Sequence, residues 1–313
     1  MRSRHKLLAL ALSLALLLSL AVPVCAAETT TSTTKDLTGH IVILHTNDVH
    51  GGIAGYAKLA AAKESYTASG AYTLLVDAGD YIQGDPTVSA SQGKTAIELM
   101  NSTGYDAATV GNHEFDYGYA NLKTISAQAN FPILAANVQY NGATAFDSHT
   151  IFTAANGKKI GVFGLETPET ATKAHPAKIQ GVTFVGGQDM MKLAQTEVDT
   201  LKAAGCDYVI CLGHLGIDAE STGNRSIDVL NAVTGIDVFI DGHSHSTLDQ
   251  IKAATNGTGK VGNAYLTSTG TKLANVGVVD IAPDGTITTS NVPLDTLTAE
   301  NADTAAVIQR IQQ

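Results

Sequence analysis

Apolar positions in this chain follow two spacings. Runs rich in β-branched residues at 41–44, 74–76, 107–110, 159–165, 208–212 and 236–240 are short and bounded by Gly or polar residues, which predicts buried strands. Between them, segments 56–66, 92–101, 119–129, 190–204 and 225–233 repeat apolar residues every three to four positions, which predicts amphipathic helices. Strands alternating with helices imply βα units joined by right-handed crossovers. After residue 245 the pattern changes to short strands at 264–267, 276–281 and 286–289, the last following a Pro283-Asp-Gly285 turn. These are expected to add antiparallel strands to a second sheet. The predicted fold class is α/β, two packed sheets with helices outside.

Five of the strand runs lead into a polar cluster. These read Asp48-Val-His50, Gly79-Asp80, Gly111-Asn-His-Glu114, Gly213-His214 and Gly242-His-Ser-His245. Open α/β sheets place their sites outside the carboxyl ends of their strands, so clusters at five such ends are expected to converge. The donors are imidazole, carboxylate and amide carbonyl without thiolate, a set that suits Zn, Mn, Fe, Co or Mg.

Asp48 and His50 are two residues apart, as are His243 and His245. In an extended segment such residues point the same way, so each pair can grip one ion. Asp48, His50, Asp80, Asn112, His214, His243 and His245 are too many ligands for one ion and suit two divalent ions bridged by a carboxylate, with Asp80 as the bridge. Two ions ~3.5–4 Å apart clamp a phosphoryl group and turn water into hydroxide near neutral pH. Their charge exceeds that of Asp48, Asp80 and one hydroxide, so the site attracts an anion.

His113 adjoins Asn112, and neighbours in an extended turn face opposite ways, which leaves His113 to meet the substrate. Asp116, three residues on, can hold its imidazole, making His113 a general acid or a stabiliser of developing charge. A lone Asp-x-His is mostly a structural pattern; the ordered set carries the functional reading. His40, His45, His149 and His175 lack partnered spacing and are expected to be structural or exposed. Glu114 is expected to bond backbone rather than act chemically, and Asp85 is a candidate to support the ligands.

The chain opens with Arg2, Arg4 and Lys6, an apolar stretch over 7–22 and Val24-Cys-Ala-Ala27, the order of a secretory signal peptide ending at 27. The stretch is short for the ~20 residues of a membrane span, so no stable membrane insertion is expected after cleavage. Val24 is bulky for lipid attachment at Cys25. Residues 28–38 are Thr-rich and read as a flexible tether. Removing the leader's three basic residues from 19 leaves 16 against 29 acidic ones, a formal charge of −13 that disfavours nucleic-acid polymers and anionic membranes. Cys206 and Cys211 lie about 16 Å apart if extended, beyond disulfide reach. One domain is expected over 39–298, followed at 299–313 by the start of an amphipathic linker helix bearing Val307, Ile308 and Ile311, where a further domain would follow.

The ordered clusters resemble those of the calcineurin-like metallophosphoesterases. His45-Thr-Asn-Asp-Val-His-Gly51, Asp77-Ala-Gly-Asp80 with Gln83-Gly84, Gly111-Asn-His-Glu-Phe-Asp116, Pro132-Ile-Leu-Ala-Ala-Asn137 and Gly161-Val-Phe-Gly-Leu-Glu-Thr-Pro168 are similar to the secreted 5′-nucleotidase family, which includes UDP-sugar hydrolases and 2′,3′-cyclic phosphodiesterases. The likeness covers nearly all of 39–313. It implies a four-layer αββα sandwich of two mixed sheets and a metal-dependent phosphoester hydrolase that is secreted, periplasmic or on the cell surface. It also implies one ion on Asp48, His50, Asp80 and His245, a second on Asp80, Asn112, His214 and His243, and a catalytic dyad of His113 and Asp116. Family nucleotidases carry a C-terminal domain that supplies Arg and aromatic residues for the nucleotide. Beyond its leader this chain has only Arg225 and Arg310, and no Trp. A small phosphate ester, with a nucleotide foremost, is the implied substrate.

Overall fold

The computed structural model describes residues 35–313, so the signal-peptide segment and most of the tether lie outside the described residues. Fifteen strands follow in chain order: β1 (Ile41–Thr46), β2 (Tyr72–Asp77), β3 (Ala107–Thr109), β4 (Ile133–Leu134), β5 (Val138–Tyr140), β6 (Ala143–Thr144), β7 (His149–Thr153), β8 (Lys159–Glu166), β9 (Val182–Phe184), β10 (Tyr208–His214), β11 (Val238–Asp241), β12 (Lys260–Val261), β13 (Ala264–Thr267), β14 (Asn275–Ile281) and β15 (Ile287–Pro293). They form two six-stranded sheets, ordered β15-β14-β1-β2-β3-β4 and β12-β13-β11-β10-β8-β7, and a small sheet β6-β5-β9. In the first large sheet β1 to β4 are parallel and β14 and β15 antiparallel to their neighbours. In the second, β8, β10, β11 and β13 are parallel and β7 and β12 antiparallel.

Side chains alternate across each strand, and that alternation builds four layers. Ile41 and Ile43 of β1 meet Ile210 and Leu212 of β10 and Val238 and Ile240 of β11 between the sheets. Val42 and Leu44 point the other way, into a core shared with Tyr56, Leu59 and Ile97 of the helices Tyr56–Ala68 and Lys94–Thr103. Val209, Cys211 and Phe239 likewise face Met190, Val198 and Leu201 of the helix Gly187–Ala203. Both faces of the parallel strands are therefore buried, which explains why their sequences are nearly continuous apolar runs. The result is the αββα sandwich of mixed sheets.

The helices expected from periodicity appear where expected, with ends moved by at most three residues. The helix expected over 119–129 stops at Ser126, and that expected over 92–101 begins at Lys94. Several elements lack a sequence signature. β4 and β6 are two residues long, and β7 (His-Thr-Ile-Phe-Thr) is a half-exposed edge strand whose polar residues mask its pairing with β8. Leu37, placed in the tether by composition, is buried and donates its N–H to Ser69 O at 2.7 Å. The helix Ala302–Ile311 packs on the domain: Ile308 joins the first core and Thr304 donates its hydroxyl to Ser102 O at 3.0 Å. Cys206 and Cys211 are both free and buried.

Candidate active site

β1, β2, β3, β10 and β11 end side by side, and the loops after them meet at the carboxyl ends of the two sheets. Asp48, Asp80 and His214 are almost fully buried there, and one ligand atom from each lies within 4.8 Å of the others. Asp48, His50 and His245 form a second group on the same criterion. The two groups share Asp48, while Asp80 Oδ2 stands 3.2 Å from His214 Nε2 and 3.7 Å from His50 Nε2, between them. Asn112 Oδ1 lies 2.8 Å from His243 Nδ1. All seven residues singled out as ligands are thus brought together.

The local reason differs from the one expected. Asp48 and His50 converge, with His50 Nε2 3.9 Å from Asp48 Oδ1, but the segment is not extended. Asp48, His50, Asp80, His243 and His245 all have positive φ, from 43° to 74°, and make up half of the ten non-glycine residues in that region among those described. Left-handed backbone at non-glycine residues is costly and collects at functional sites. Here it turns the chain sharply after β1, β2 and β11, so that consecutive ligands face one point. Asn112–Phe115 is likewise a 3-10 turn rather than an extended one. His113 leaves the ligand group because that turn rotates it away, while its backbone N–H donates to Asp80 Oδ1 at 2.9 Å.

Three imidazoles have one nitrogen committed elsewhere. His50 Nδ1 donates to Gln83 Oε1 at 3.2 Å, His214 Nδ1 to Ala78 O at 2.7 Å, and His243 Nε2 to Glu169 Oε2 at 3.0 Å. Each bond fixes the tautomer and leaves the opposite nitrogen with a lone pair facing the site, the usual arrangement around a bound metal. His214 Nε2 is buried and makes no aligned hydrogen bond. The Nε2 atoms of His50 and His245 approach to 2.9 Å. Burial lowers the pKa of His50, His243 and His245, the second to about 4, and so keeps these rings in the neutral form that binds metal. Burial pushes Asp48 up to about 7, so holding it ionised beside Asp80 calls for a cation next to them. The donors, their aim and their charge fit divalent metal ions. Close packing fits too: a Cβ at Gly111 would strike the Asp80 carboxylate and lie 2.7 Å from His214 Nε2.

His113 and Asp116 face the same cleft, of about 270 Å³, lined by Asp80, Asn112, His113, Asp116, Lys173, His243 and His245. Asp116 Oδ2 accepts from His113 Nδ1 at 2.7 Å, and that bond, against partial burial, raises the imidazole to about 8. Glu114 acts on backbone: its buried carboxylate accepts from the N–H groups of Asp80, Tyr81, Ile82 and Gly111, pinning two ligand loops together. His45 is buried and outside the site, where burial drives it down to about 3. Asp85 does not support a ligand; its side chain caps the helix Pro86–Ala90 by accepting from Thr87 N–H at 2.8 Å.

Sequence reading missed Asn47, Glu169 and Lys173. Asn47 Nδ2 donates to Asp48 Oδ2 at 2.6 Å and to Gly270 O at 2.8 Å, while its Oδ1 accepts from Thr269 N–H at 2.9 Å. Glu169 follows β8 and takes a salt bridge from Lys173 at 2.7 Å besides the bond from His243. The available signal was the polar Thr-Pro-Glu-Thr at 167–170, a sixth polar cluster after a parallel strand.

Residues 41–247 match the model of the calcineurin-like phosphoesterases, and the chain belongs to that family, whose chemistry relies on divalent metal ions. Over 247 residues it is 32% identical to the snake venom 5′-nucleotidase of Gloydius brevicauda, a match that takes in 72% of this chain and 39% of that one. The calcineurin-like phosphoesterase YfkN of Bacillus subtilis, 26% identical, superposes with a TM-score of 0.74 over 88% of this chain and 97% of that structure. A 5′-nucleotidase precursor from Thermus thermophilus shares the fold at 21% identity, with a TM-score of 0.72 over 88% of this chain and 58% of its own. The chain therefore spans about 39% of the length of its curated venom relative.

Proposed function

We propose that this chain is an exported phosphoesterase that hydrolyses nucleotides or related small phosphate esters with the aid of two divalent metal ions. The observation that carries the reading is the set of imidazoles whose second nitrogens are tied to Gln83, Ala78 and Glu169, leaving lone pairs aimed at Asp48, Asp80 and Asn112. Asp48, His50, Asp80 and His245 would hold one ion and Asp80, Asn112, His214 and His243 the other, with Asp80 common to both. Bound there, the ions supply Lewis acidity toward water and phosphoryl oxygen. The nitrogen and oxygen donors suit Zn, Mn, Co, Fe or Mg.

The chain's own contribution is orientation and proton handling. The His113 N–H and the Glu114-bound loops fix the Asp80 carboxylate. His113, its Nδ1 held by Asp116, presents Nε2 to the cleft and delivers a proton to the departing ester oxygen. A leader read as a signal peptide and relatives named 5′-nucleotidase support an exported enzyme acting on nucleotides. Cyclic phosphodiesters and UDP-sugars are the alternative substrates for the same site, and a relative named a trifunctional nucleotide phosphoesterase, 30% identical over 258 residues, supports a site with more than one nucleotide substrate.

The test is reconstitution with Mn²⁺ or Zn²⁺, elemental analysis, and phosphate release from AMP, UMP, ribose 5-phosphate, 2′,3′-cyclic AMP and p-nitrophenyl phosphate. We expect two ions per chain, turnover abolished by chelators, and a KM for AMP no lower than for ribose 5-phosphate, because no Phe, Tyr or Trp among the described residues lines the cleft to stack a base. A preparation holding two ions that hydrolyses none of these esters refutes the proposal.

A further inference from the structure

Lys173 ends the one-turn helix Thr170–Lys173 that follows β8, and its ammonium enters the active-site cleft. Among the described residues lining that cleft it is the one lysine or arginine. Its neighbours are Glu169 Oε2 at 2.7 Å, His243 Nε2 at 3.3 Å and Glu220 Oε1 at 3.7 Å. The three distances are not equivalent. His243 Nε2 donates to Glu169 and so has no lone pair to offer Lys173, and Glu220 is past hydrogen-bond reach. One ammonium proton is committed to Glu169, and the others remain for a group in the cleft. Glu169 does not travel with it, because the same carboxylate is also held by Ser221 Oγ and His243.

Resting on the phosphoesterase reading above, we propose that Lys173 selects the substrate: it binds a non-bridging oxygen of a phosphoryl dianion and makes the site favour phosphomonoesters over phosphodiesters. A monoester presents three non-bridging oxygens and a second charge, whereas a diester, open-chain or cyclic, presents two oxygens and one charge. Lysine suits this role as a compact point charge on a long flexible stem. Glu169 sets its resting place, and the side chain is 42% exposed, free to extend by a rotamer change.

The experiment compares wild type, Lys173→Gln and Lys173→Arg, all metal-loaded, at about pH 8 where phosphate is a dianion. Calorimetry measures binding of inorganic phosphate, and steady-state kinetics compares p-nitrophenyl phosphate with bis-p-nitrophenyl phosphate. One charge-assisted hydrogen bond at a partly exposed site is worth about tenfold. The expected result for Lys173→Gln is a tenfold rise in the phosphate Kd and the monoester KM and a rise under about threefold for the diester. Metal content should be retained and the arginine variant largely restored. A phosphate Kd within about twofold of wild type overturns the proposal, as does equal weakening of monoester and diester. Loss of metal also overturns it, since Lys173 would then act only through Glu169 and His243. If wild type releases phosphate from no ester, the phosphoesterase reading fails, and the phosphate calorimetry still decides the role of Lys173.

Discussion

Asn47→Ala offers a sharp test of how the metal ligands are held. Asn47 is 1% exposed and ties the loop after β1 to residues 268–270, more than 220 positions away in sequence. Truncation strips the partner from Thr269 N–H and from Gly270 O and removes one donor from the Asp48 carboxylate. A buried backbone group left unsatisfied costs about 1–3 kcal/mol, so two of them cost about 2–6 kcal/mol, with no buried charge relieved in return. A domain of ordinary stability, about 5–15 kcal/mol, survives that loss in a measurable form. Urea unfolding of metal-stripped protein isolates the effect from metal linkage, and the midpoint should fall while the m-value stays constant. Thr269→Val, which deletes only the hydroxyl bonded to Asn47 Oδ1 at 2.8 Å, should cost about 1 kcal/mol. A loss below about 1 kcal/mol for Asn47→Ala would mean that this bridge does not hold the loop.

The remaining predictions concern metal, proton and pH. Asp80→Asn should lower metal occupancy at both positions, read by elemental analysis after reconstitution; full occupancy would remove Asp80 from its bridging role. His113→Ala should keep the metals and slow turnover by roughly 10²–10⁴-fold, less for nitrophenyl esters whose leaving group needs no proton; loss of metal instead would make His113 a ligand. His45 is held down to about 3 from 6.5 by burial, so below pH 6.5 the unfolded chain takes up a proton that the folded chain refuses. Its contribution is therefore intact above that pH and is lost as pH falls, by about 2 kcal/mol on reaching pH 5. Unfolding midpoints at pH 7 and 5 should diverge less in His45→Gln than in wild type, and equal divergence would contradict the assignment.

Much of the frame was legible in the residues. The runs that became β1, β2, β3, β8, β10 and β11 are short, β-branched and continuous because strands buried on both faces allow no polar alternation. β4, β6 and β7 were not legible, since two residues carry no period and an edge strand needs no apolar face. The Pro86–Ala90 helix was missed because its cap, Asp85, looked like site chemistry.

What the sequence by itself determined is the kind of donor and its place within four residues of a strand's carboxyl end, for these depend on composition and local period. Only the tertiary structure decided how the donors meet. The left-handed backbone at Asp48, His50, Asp80, His243 and His245 is unfavourable locally and persists because loops from both sheets close around it. The locking of imidazoles by Gln83, Ala78 and Glu169, the Asn47 bridge and the reach of Lys173 into the cleft join residues that no sequence period relates. Such contacts form only when distant segments share a buried site, where an unpaired polar group is too costly to leave.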